Sequence, residues 1–457
     1  MNTDFSTLPL HPPLLQNLKT LGFVEMTPVQ AQSLPSLLEG KDVLAQADTG
    51  SGKTVAFGLS LLQRLEVERY RVQSLVLCPT RELAQQVSKE IRRLARRVHN
   101  VKVLELCGGL PVGPQIGSLE HGAHIVVGTP GRVLHHLKLH TLTLRQLNTL
   151  VLDEADRMLD MGFEEELNAI LKRCPEDKQT LLFSATYPDT IREMSQALQK
   201  DAVMVSVESK VMKESIQQFC CEVEADTEKA EALLSILYRE RPTSCLVFCK
   251  TRRGSDELAN LLRQEGFTAL AIHGDLEQRK RQEILVRFAN QSCTILVATD
   301  VAARGLDIAD LELVVTWDLP QDPDVHTHRI GRTGRGGQKG LAVSLVTPKD
   351  MFVLKKIEKN LGRTIERMTP IFPEVIEPLR PAMVTLCLDG GKKKKVRPGD
   401  ILGALTRDAG LPGKKVGKID IFEHLSYIAV HHSIARAALE HLQRGKVKGR
   451  FFKARRV

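Results

Sequence analysis

The sequence predicts an α/β protein in which two parallel-sheet domains stand in tandem and a small α+β domain follows. The first observation is an alternation of short apolar runs with segments of helical period: KDVLAQA before TVAFGLSLLQRL, SLVLCP before RELAQQVSKEIRRLARRV, then AHIVVGTP, TLVLDEAD and QTLLFSAT. Continuous Val- and Leu-rich runs suit strands covered on both faces by crossover helices. The second is that this rhythm restarts after the polar stretch VESKVMKESIQQ, with SCLVFCK, ALAIHGD, TILVATD, LVVTWDLP and GLAVSLVTP. The third is a βαββαβ order beyond the Pro-rich IFPEVIEPLRP, where MVTLCLDG, RPGDILGALTRDAG, VGKIDIF, SYIAV, SIARAALEHLQ and RFFKARRV follow one another. Domains are expected over residues 1–207, 216–365 and 382–457.

Composition is consistent with this. At 457 residues and 42% hydrophobic content the chain can fill several cores, which excludes general disorder. Net charge is +9, and its location matters more than its size. Residues 382–457 hold 17 Lys and Arg against 6 Asp and Glu, and the rest of the chain is close to neutral. The nine Cys fall singly or inside apolar runs, without CxxC pairs, and read as reduced core residues. No basic region followed by an apolar stretch opens the chain, and no window approaches about 18 apolar residues, so a soluble cytoplasmic protein is expected, with no membrane partner.

ADTGSGKT follows the strand-like DVLAQ and opens the helix-like TVAFGLSLLQ, which places Ala47, Asp48, Thr49, Gly50, Ser51, Gly52, Lys53 and Thr54 where a phosphate-binding loop belongs. Gly50 and Gly52 let backbone N–H groups turn inward around phosphate oxygens, Lys53 reaches the terminal phosphates, and the Thr54 hydroxyl is a candidate Mg2+ ligand at a helix N-terminus. Ala47 stands where the usual pattern has Gly.

A phosphate loop of this kind needs a carboxylate at the tip of another strand to hold Mg2+ and a group to polarise the attacking water. VLDEAD supplies both: Asp153 for the metal and Glu154 for the water. Arg329, Arg332 and Arg335 recur every third residue with glycines between them, as in a loop aimed at an anion; Arg332 and Arg335 are the candidate arginine fingers. His121, His124, His135 and His136 lack acidic or Cys partners at ligand spacing, so no metal is assigned to them.

The letters DEAD at 153–156, with ADTGSGKT, SAT and HRIGRTGR, resemble the DEAD-box RNA helicases of superfamily 2 over residues 1 to about 365. That resemblance implies two RecA-like domains, ATP and Mg2+ as cofactors, and RNA-stimulated ATP hydrolysis with local strand separation. It implies that Gln30 in GFVEMTPVQ reads the adenine edge with Phe23 beside the base, Met26 standing where Pro is usual; an upstream aromatic, Phe5, is similar to one the family places against this region. By the same resemblance Asp307 contacts the ribose. RNA contacts are implied at Pro79, Thr80 and Arg81, at Gly108 and Gly109, at Thr129, Pro130, Gly131 and Arg132, and at Thr251, Arg252, Gln278, Arg281, Thr299 and Arg304.

The basic clusters of the tail, Lys392, Lys393, Lys394 and Lys395 foremost, beside a βαββαβ pattern suggest a fold similar to the RNA recognition motif. The aromatic-rich strands that stack bases in that fold are nearly absent, only Phe422 and Tyr427 lying near them, so loops and lysines are the expected contacts. A helicase core followed by MVTLCLDGGKKKKVRPGDILGALT resembles the DbpA subgroup of bacterial DEAD-box proteins. This implies a 23S ribosomal RNA hairpin and pre-50S particles as partners, with no obligatory protein partner evident. Charge and spacing alone support only structured RNA. The alternatives are an ATP-gated RNA clamp, disfavoured by the intact Glu154, Arg332 and Arg335, and DNA unwinding, disfavoured by the RNA motifs.

Overall fold

The structure is a computed structural model that describes residues 3–47, 50–207, 216–303, 311–334, 339–372 and 377–457. Asp48, Thr49, Arg304, Asp307 and Arg335 therefore lie outside the described residues. The chain divides into two compact units, the second beginning at Val211 and including the C-terminal domain.

In the first unit, seven strands form one parallel sheet: β1 Val43–Gln46, β2 Ser74–Leu77, β3 Val103–Leu106, β4 Ile125–Gly128, β5 Thr149–Asp153, β6 Gln179–Ser184 and β7 Val203–Ser206. Their order is β3-β4-β2-β5-β6-β1-β7. The central strands SLVL, TLVLD and QTLLFS are buried along their whole length, as strands covered on both faces must be. Helices close both faces. Arg81–Leu94, for instance, begins where the Thr80 hydroxyl accepts from the Leu83 N–H (3.2 Å) and buries Leu83, Val87, Ile91 and Leu94 on one stripe.

The second unit repeats the plan. Strands β8 Ile216–Glu222, β9 Cys245–Cys249, β10 Ala269–Ile272, β11 Ile295–Thr299, β12 Leu313–Thr316, β13 Gly340–Val346 and β14 Glu366–Met368 take the order β10-β11-β9-β12-β13-β8-β14. The same unit carries a four-stranded antiparallel sheet of β15 Met383–Leu388, β16 Val416–Ile421, β17 Ser426–His431 and β18 Ala454–Arg456, in the order β16-β17-β15-β18. One face packs on the helices Pro398–Gly403, continued as the π-helical turn Ala404–Asp408, and Ala435–Arg444 through Val384, Leu386, Leu388, Ile428 and Val430.

The other face of this small sheet is covered too. Cys387 on β15 and Tyr427 on β17 pack against Val286 of the helix Gln278–Ala289, with Tyr427 only 1% exposed. Beside them, Thr385 meets Ser292 Oγ at 2.6 Å and accepts from Asn290 Nδ2 at 3.3 Å, and Arg455 Nη2 lies 3.3 Å from Glu283 Oε2. Burial works against the Glu283 charge; hydrogen bonds and charge from Lys280 and Arg455 outweigh it and hold its pKa below the usual carboxylate range. The surface on which this fold elsewhere stacks bases is thus occupied by the parent chain.

The buried Thr385 hydroxyl is the polar centre of that contact. Thr385→Val keeps the side-chain shape, removes the bond to Ser292, which keeps its bond to the Arg287 carbonyl, and leaves the Asn290 amide N–H without its partner, so it should destabilise the C-terminal transition by about 1–3 kcal/mol in denaturant unfolding of the full chain. An unchanged midpoint would count against the contact.

Candidate nucleotide and RNA sites

Gly50 and Gly52 adopt φ of +86° and +96°, a region costly for any side chain, and the chain turns there from β1 into the helix Lys53–Gln63. A methyl group on Gly52 would also collide with the Gln30 amide and the Thr27 hydroxyl. These two residues lash the loop to the helix Pro28–Leu38. Thr27 Oγ1 donates to the Ser51 carbonyl (2.7 Å) and Gln30 Nε2 to the Gly52 carbonyl (3.0 Å), while Gln30 Oε1 accepts from the Thr27 N–H (2.9 Å). These bonds use one N–H and one lone pair of the Gln30 amide. Phe23 lies against Phe5 (centroids 6.5 Å apart), with the Arg93 guanidinium 5.2 Å from its centroid.

Lys53 is buried and its ammonium donates to the Ala47 carbonyl at 2.8 Å, closing the loop across its own mouth. Asp153 ends β5 and is 3% exposed. Burial pushes its carboxyl up to about 7, with the charge of Lys53 pulling the other way. Its Oδ1 has no hydrogen-bond partner in the structure. A buried carboxylate oxygen without a donor, under the charge of Lys53, fits a hard divalent cation completed by phosphate oxygens and water, and Thr54 supplies a hydroxyl in the first turn of the helix Lys53–Gln63. Among the described residues no cluster of three His, Cys, Asp or Glu forms a self-sufficient metal site, which such a phosphate-dependent site does not need.

Glu154 sits in the left-handed region at φ 55°, so the backbone swings the side chain out of the strand line. Its Oε2 pairs with Arg157 Nη1 at 2.9 Å, both side chains buried. Asp156, given no role of its own by the sequence, has the densest polar contacts. Its Oδ2 accepts from the Ala185 N–H (3.2 Å), the Thr186 N–H (3.0 Å) and the Thr186 hydroxyl (2.8 Å), and Oδ1 from the Arg157 N–H (2.9 Å). It ties VLDEAD to SAT. Because β6 lies between β1 and β5, SAT stands between the phosphate loop and Asp153, and Ala47 N–H bonds the Ser184 carbonyl (2.9 Å).

The candidate RNA elements of this unit occupy the neighbouring half of the same sheet edge, after β2, β3 and β4. Arg81 packs its guanidinium across Gly108 and Gly109; a Cβ on Gly109 would meet that guanidinium, and Gly109 has φ +75°, which disfavours any side chain there. Pro79 and Thr80 lead into the Arg81 helix, and Thr129 precedes the helix Pro130–Lys138 with Pro130 at its first position and Gly131 exposed. Arg132 donates to the Leu110 carbonyl (3.1 Å) and to Gln115 Oε1 (2.8 Å). Its pKa is lowered by burial and by the charge of Arg81. Two guanidinium groups thus stand close enough to repel one another beside the Gly108–Gly109 backbone. Of the four histidines, His136 bonds Thr141 (2.9 Å) and Gln115 (2.9 Å), and His124 bonds the Lys102 N–H (3.0 Å) and the Val67 carbonyl (2.8 Å).

In the second unit Thr251 caps the helix Arg252–Gln264, Arg252 pairs with Asp275, and Arg281 Nη1 donates to the His273 carbonyl (3.4 Å). Gln278 opens the helix that docks the C-terminal sheet, and Thr299 ends β11, buried. Arg329 requires a correction. It lies in the helix Pro323–Ile330 with both ends of its guanidinium on Asp300 (2.7 Å each) and a bond to the Asp318 carbonyl (2.6 Å), so it braces the lobe instead of facing an anion. Arg332 is also buried, and its carbonyl accepts from the Leu311 N–H (3.2 Å).

Residues 27–194 match the DEAD/DEAH box helicase family, 228–337 the helicase conserved C-terminal domain, and 385–456 the DbpA RNA binding domain. The chain is 50% identical over 454 residues to the ATP-dependent RNA helicase DbpA of Escherichia coli K12, covering 99% of both. It belongs to the DEAD-box ATP-dependent RNA helicases of the DbpA type. The helicase core is also 46% identical over 377 residues to the DEAD-box ATP-dependent RNA helicase CshA of Bacillus cereus, covering 82% of this chain and 71% of that one. Saccharomyces cerevisiae Dbp5 bound to RNA and ADP BeF3 shares the fold with a TM-score of 0.74 and 31% identity, over 80% of this chain and 96% of that one. The enzyme therefore hydrolyses ATP and binds RNA, and its C-terminal sheet is the DbpA-type RNA-binding domain.

An acid whose pKa is raised by folding costs stability as pH climbs from its ordinary range through about 7, because the unfolded carboxyl ionises first. Asp153→Asn removes that cost. At neutral to alkaline pH the nucleotide-free helicase should melt higher, by roughly 2–4 °C for each kcal/mol recovered, while ATPase activity falls. A lower melting temperature would contradict the burial penalty.

Proposed function

We propose that this helicase is an RNA-stimulated ATPase that separates short RNA duplexes beside a 23S ribosomal RNA hairpin held by its C-terminal domain, and that it acts on pre-50S particles. The observation that carries the catalytic part is the shared sheet edge: nucleotide residues on β1 and β5, RNA elements on β2, β3 and β4, and Asp156 bonding one nucleotide strand to SAT. The basic C-terminal domain and the likeness to the E. coli DbpA helicase support the ribosomal target. Free thiols throughout the described residues suit a cytoplasmic setting, and no described helix is long and apolar enough to cross a membrane.

In this mechanism backbone N–H groups of residues 47–54 and the Lys53 ammonium hold the phosphates, and Gln30 turns its remaining donor and lone pair to the adenine edge beside Phe23. Asp307 takes the ribose. Mg2+, held by Asp153 and Thr54, would neutralise charge on the phosphate oxygens. Glu154, fixed by Arg157, accepts a proton from the attacking water. Arg332 and Arg335 act as arginine fingers from the second lobe, an effect of roughly 10³–10⁵ on rate in related phosphoryl transfers. Pro79, Thr80, Arg81, Gly108, Gly109, Thr129–Arg132, Thr251, Arg252, Gln278, Arg281, Thr299 and Arg304 follow the RNA backbone in a bent single-stranded path that an A-form duplex does not share.

Glu154→Gln should bind ATP and RNA together while turnover falls at least 100-fold in a steady-state ATPase assay. Rapid turnover by this variant would remove Glu154 as the water activator. Deleting 382–457 should abolish the preference of the ATPase for 23S ribosomal RNA over poly(U), leaving weak stimulation by either. Retained preference would move the specificity into the core.

A further inference from the structure

The sheet face that would stack bases is buried on the helix Gln278–Ala289, so RNA must meet the C-terminal domain elsewhere. Two loops stand out at one end of it. The segment 389–396 carries Lys392, Lys393, Lys394 and Lys395, all exposed. The segment 446–453 carries Lys446, Lys448, Arg450 and Lys453, also exposed. The structure joins them. Lys448 Nζ donates to the Lys395 carbonyl (2.8 Å), and the Asp389 N–H donates to the Lys453 carbonyl (2.8 Å). Phe452 is buried against Gly390 and Val396, where a Cβ on Gly390 would come within 2.7 Å of its ring. Eight cations share one surface, and among the described residues the acids that reach them are Asp389 and Asp400, 3.7 and 3.8 Å from Lys394 and Lys448.

At the tip of the second loop Lys448 and Gly449 have φ of 52° and 74°, and Val447 and Arg450 exchange backbone hydrogen bonds of 2.8 and 3.1 Å. Positive φ at both central positions is the tight hairpin turn that reverses the chain in two residues. It delivers Phe451 to the surface, 65% exposed, with the Lys446 ammonium 5.5 Å from its ring centroid. An aromatic ring left in water within a lysine surface is a poor arrangement for a free domain and a good one for a ligand with both phosphates and flat bases.

We propose that Phe451 stacks an unpaired base of the anchoring RNA while Lys392–Lys395, Lys446, Lys448, Arg450 and Lys453 follow its phosphates, making this two-loop end the RNA-binding surface of the C-terminal domain. The inference rests on that domain's anchoring role. Stacking on an aromatic tolerates any ring and disappears with the ring, whereas phosphate contacts set the salt dependence.

The test uses the full-length chain, with in vitro transcribed 23S ribosomal RNA as probe and poly(U)-stimulated ATPase as the control for an intact core. Phe451→Ala should weaken binding of the probe about tenfold, Phe451→Trp should bind within about twofold of the parent, and both should keep poly(U)-stimulated ATPase. Replacing Lys392–Lys395 together by Gln should lower the slope of log affinity against log salt by about 0.7–0.9 for each phosphate that these lysines neutralise. If deletion of 382–457 abolishes the ribosomal preference but Phe451→Ala binds as the parent does, this surface is overturned and the anchoring role stands. If the deletion keeps the preference, the anchoring role falls and this surface with it. Unchanged RNA affinity in Phe451→Ala together with loss of self-association would assign the ring to a second copy of the chain and likewise overturn the proposal.

Discussion

A carboxylate and an ammonium taken out of water at the end of one parallel sheet are the constraint on which the rest of the first unit depends. Asp153 and Lys53 are both buried, and Asp153 keeps an oxygen without a donor. Such an arrangement costs stability unless a ligand completes it. The fold bears that cost because the strands behind it are wholly buried and the loop in front is tied to Thr27 and Gln30. The buried Arg157 guanidinium balances the Glu154 carboxylate in the left-handed turn, whereas Asp153 Oδ1 has no donor.

The sheet order then sets the candidate nucleotide and RNA elements along one edge. SAT is not beside DEAD in the sequence, yet β6 runs between β1 and β5, so one short segment touches the phosphate loop through Ala47 and the DEAD turn through Asp156. The Arg81 and Arg132 guanidiniums wait on the other half of the same edge. Linkage between ligands needs differential contacts in a shared element, and Asp156 is the side chain whose bonds join two of the pieces. In the second unit the helix Gln278–Ala289 has a similar double duty: it carries the RNA candidates Gln278 and Arg281 and docks the C-terminal sheet through Glu283 and Val286.

Much of this was legible in the residues. Strands buried on both faces announce themselves as continuous apolar runs, and SLVL, TLVLD and QTLLFS sit where expected. Short or polar strands do not: the edge strand β3 is only partly buried, the edge strand β14 is three residues of ERM, and the inner strand β8 opens IQQ, so none carries a long apolar run. Spacing also misled at Arg329, since a period of three with glycines suits both an anion loop and a helix end, and only the position of Asp300 distinguishes them. Arg157 and Gln115 gave no signal because their work is to hold Glu154 and Arg132. The scarcity of aromatics cast doubt on base stacking by the small sheet. It did not foretell that the sheet would be covered, because the covering helix Gln278–Ala289 belongs to the preceding domain and its sequence shows nothing that names Cys387 and Tyr427 as its partners.

The coupling proposed for this helicase runs from nucleotide state to RNA grip through Asp156 and SAT. It is tested most directly by measuring single-stranded RNA affinity with and without a non-hydrolysable ATP analogue, in the parent helicase and in Asp156→Ala. The account predicts that the analogue tightens RNA binding roughly 5- to 150-fold in the parent and hardly at all in the variant, with each ligand alone still bound. Equal tightening in both proteins would contradict it.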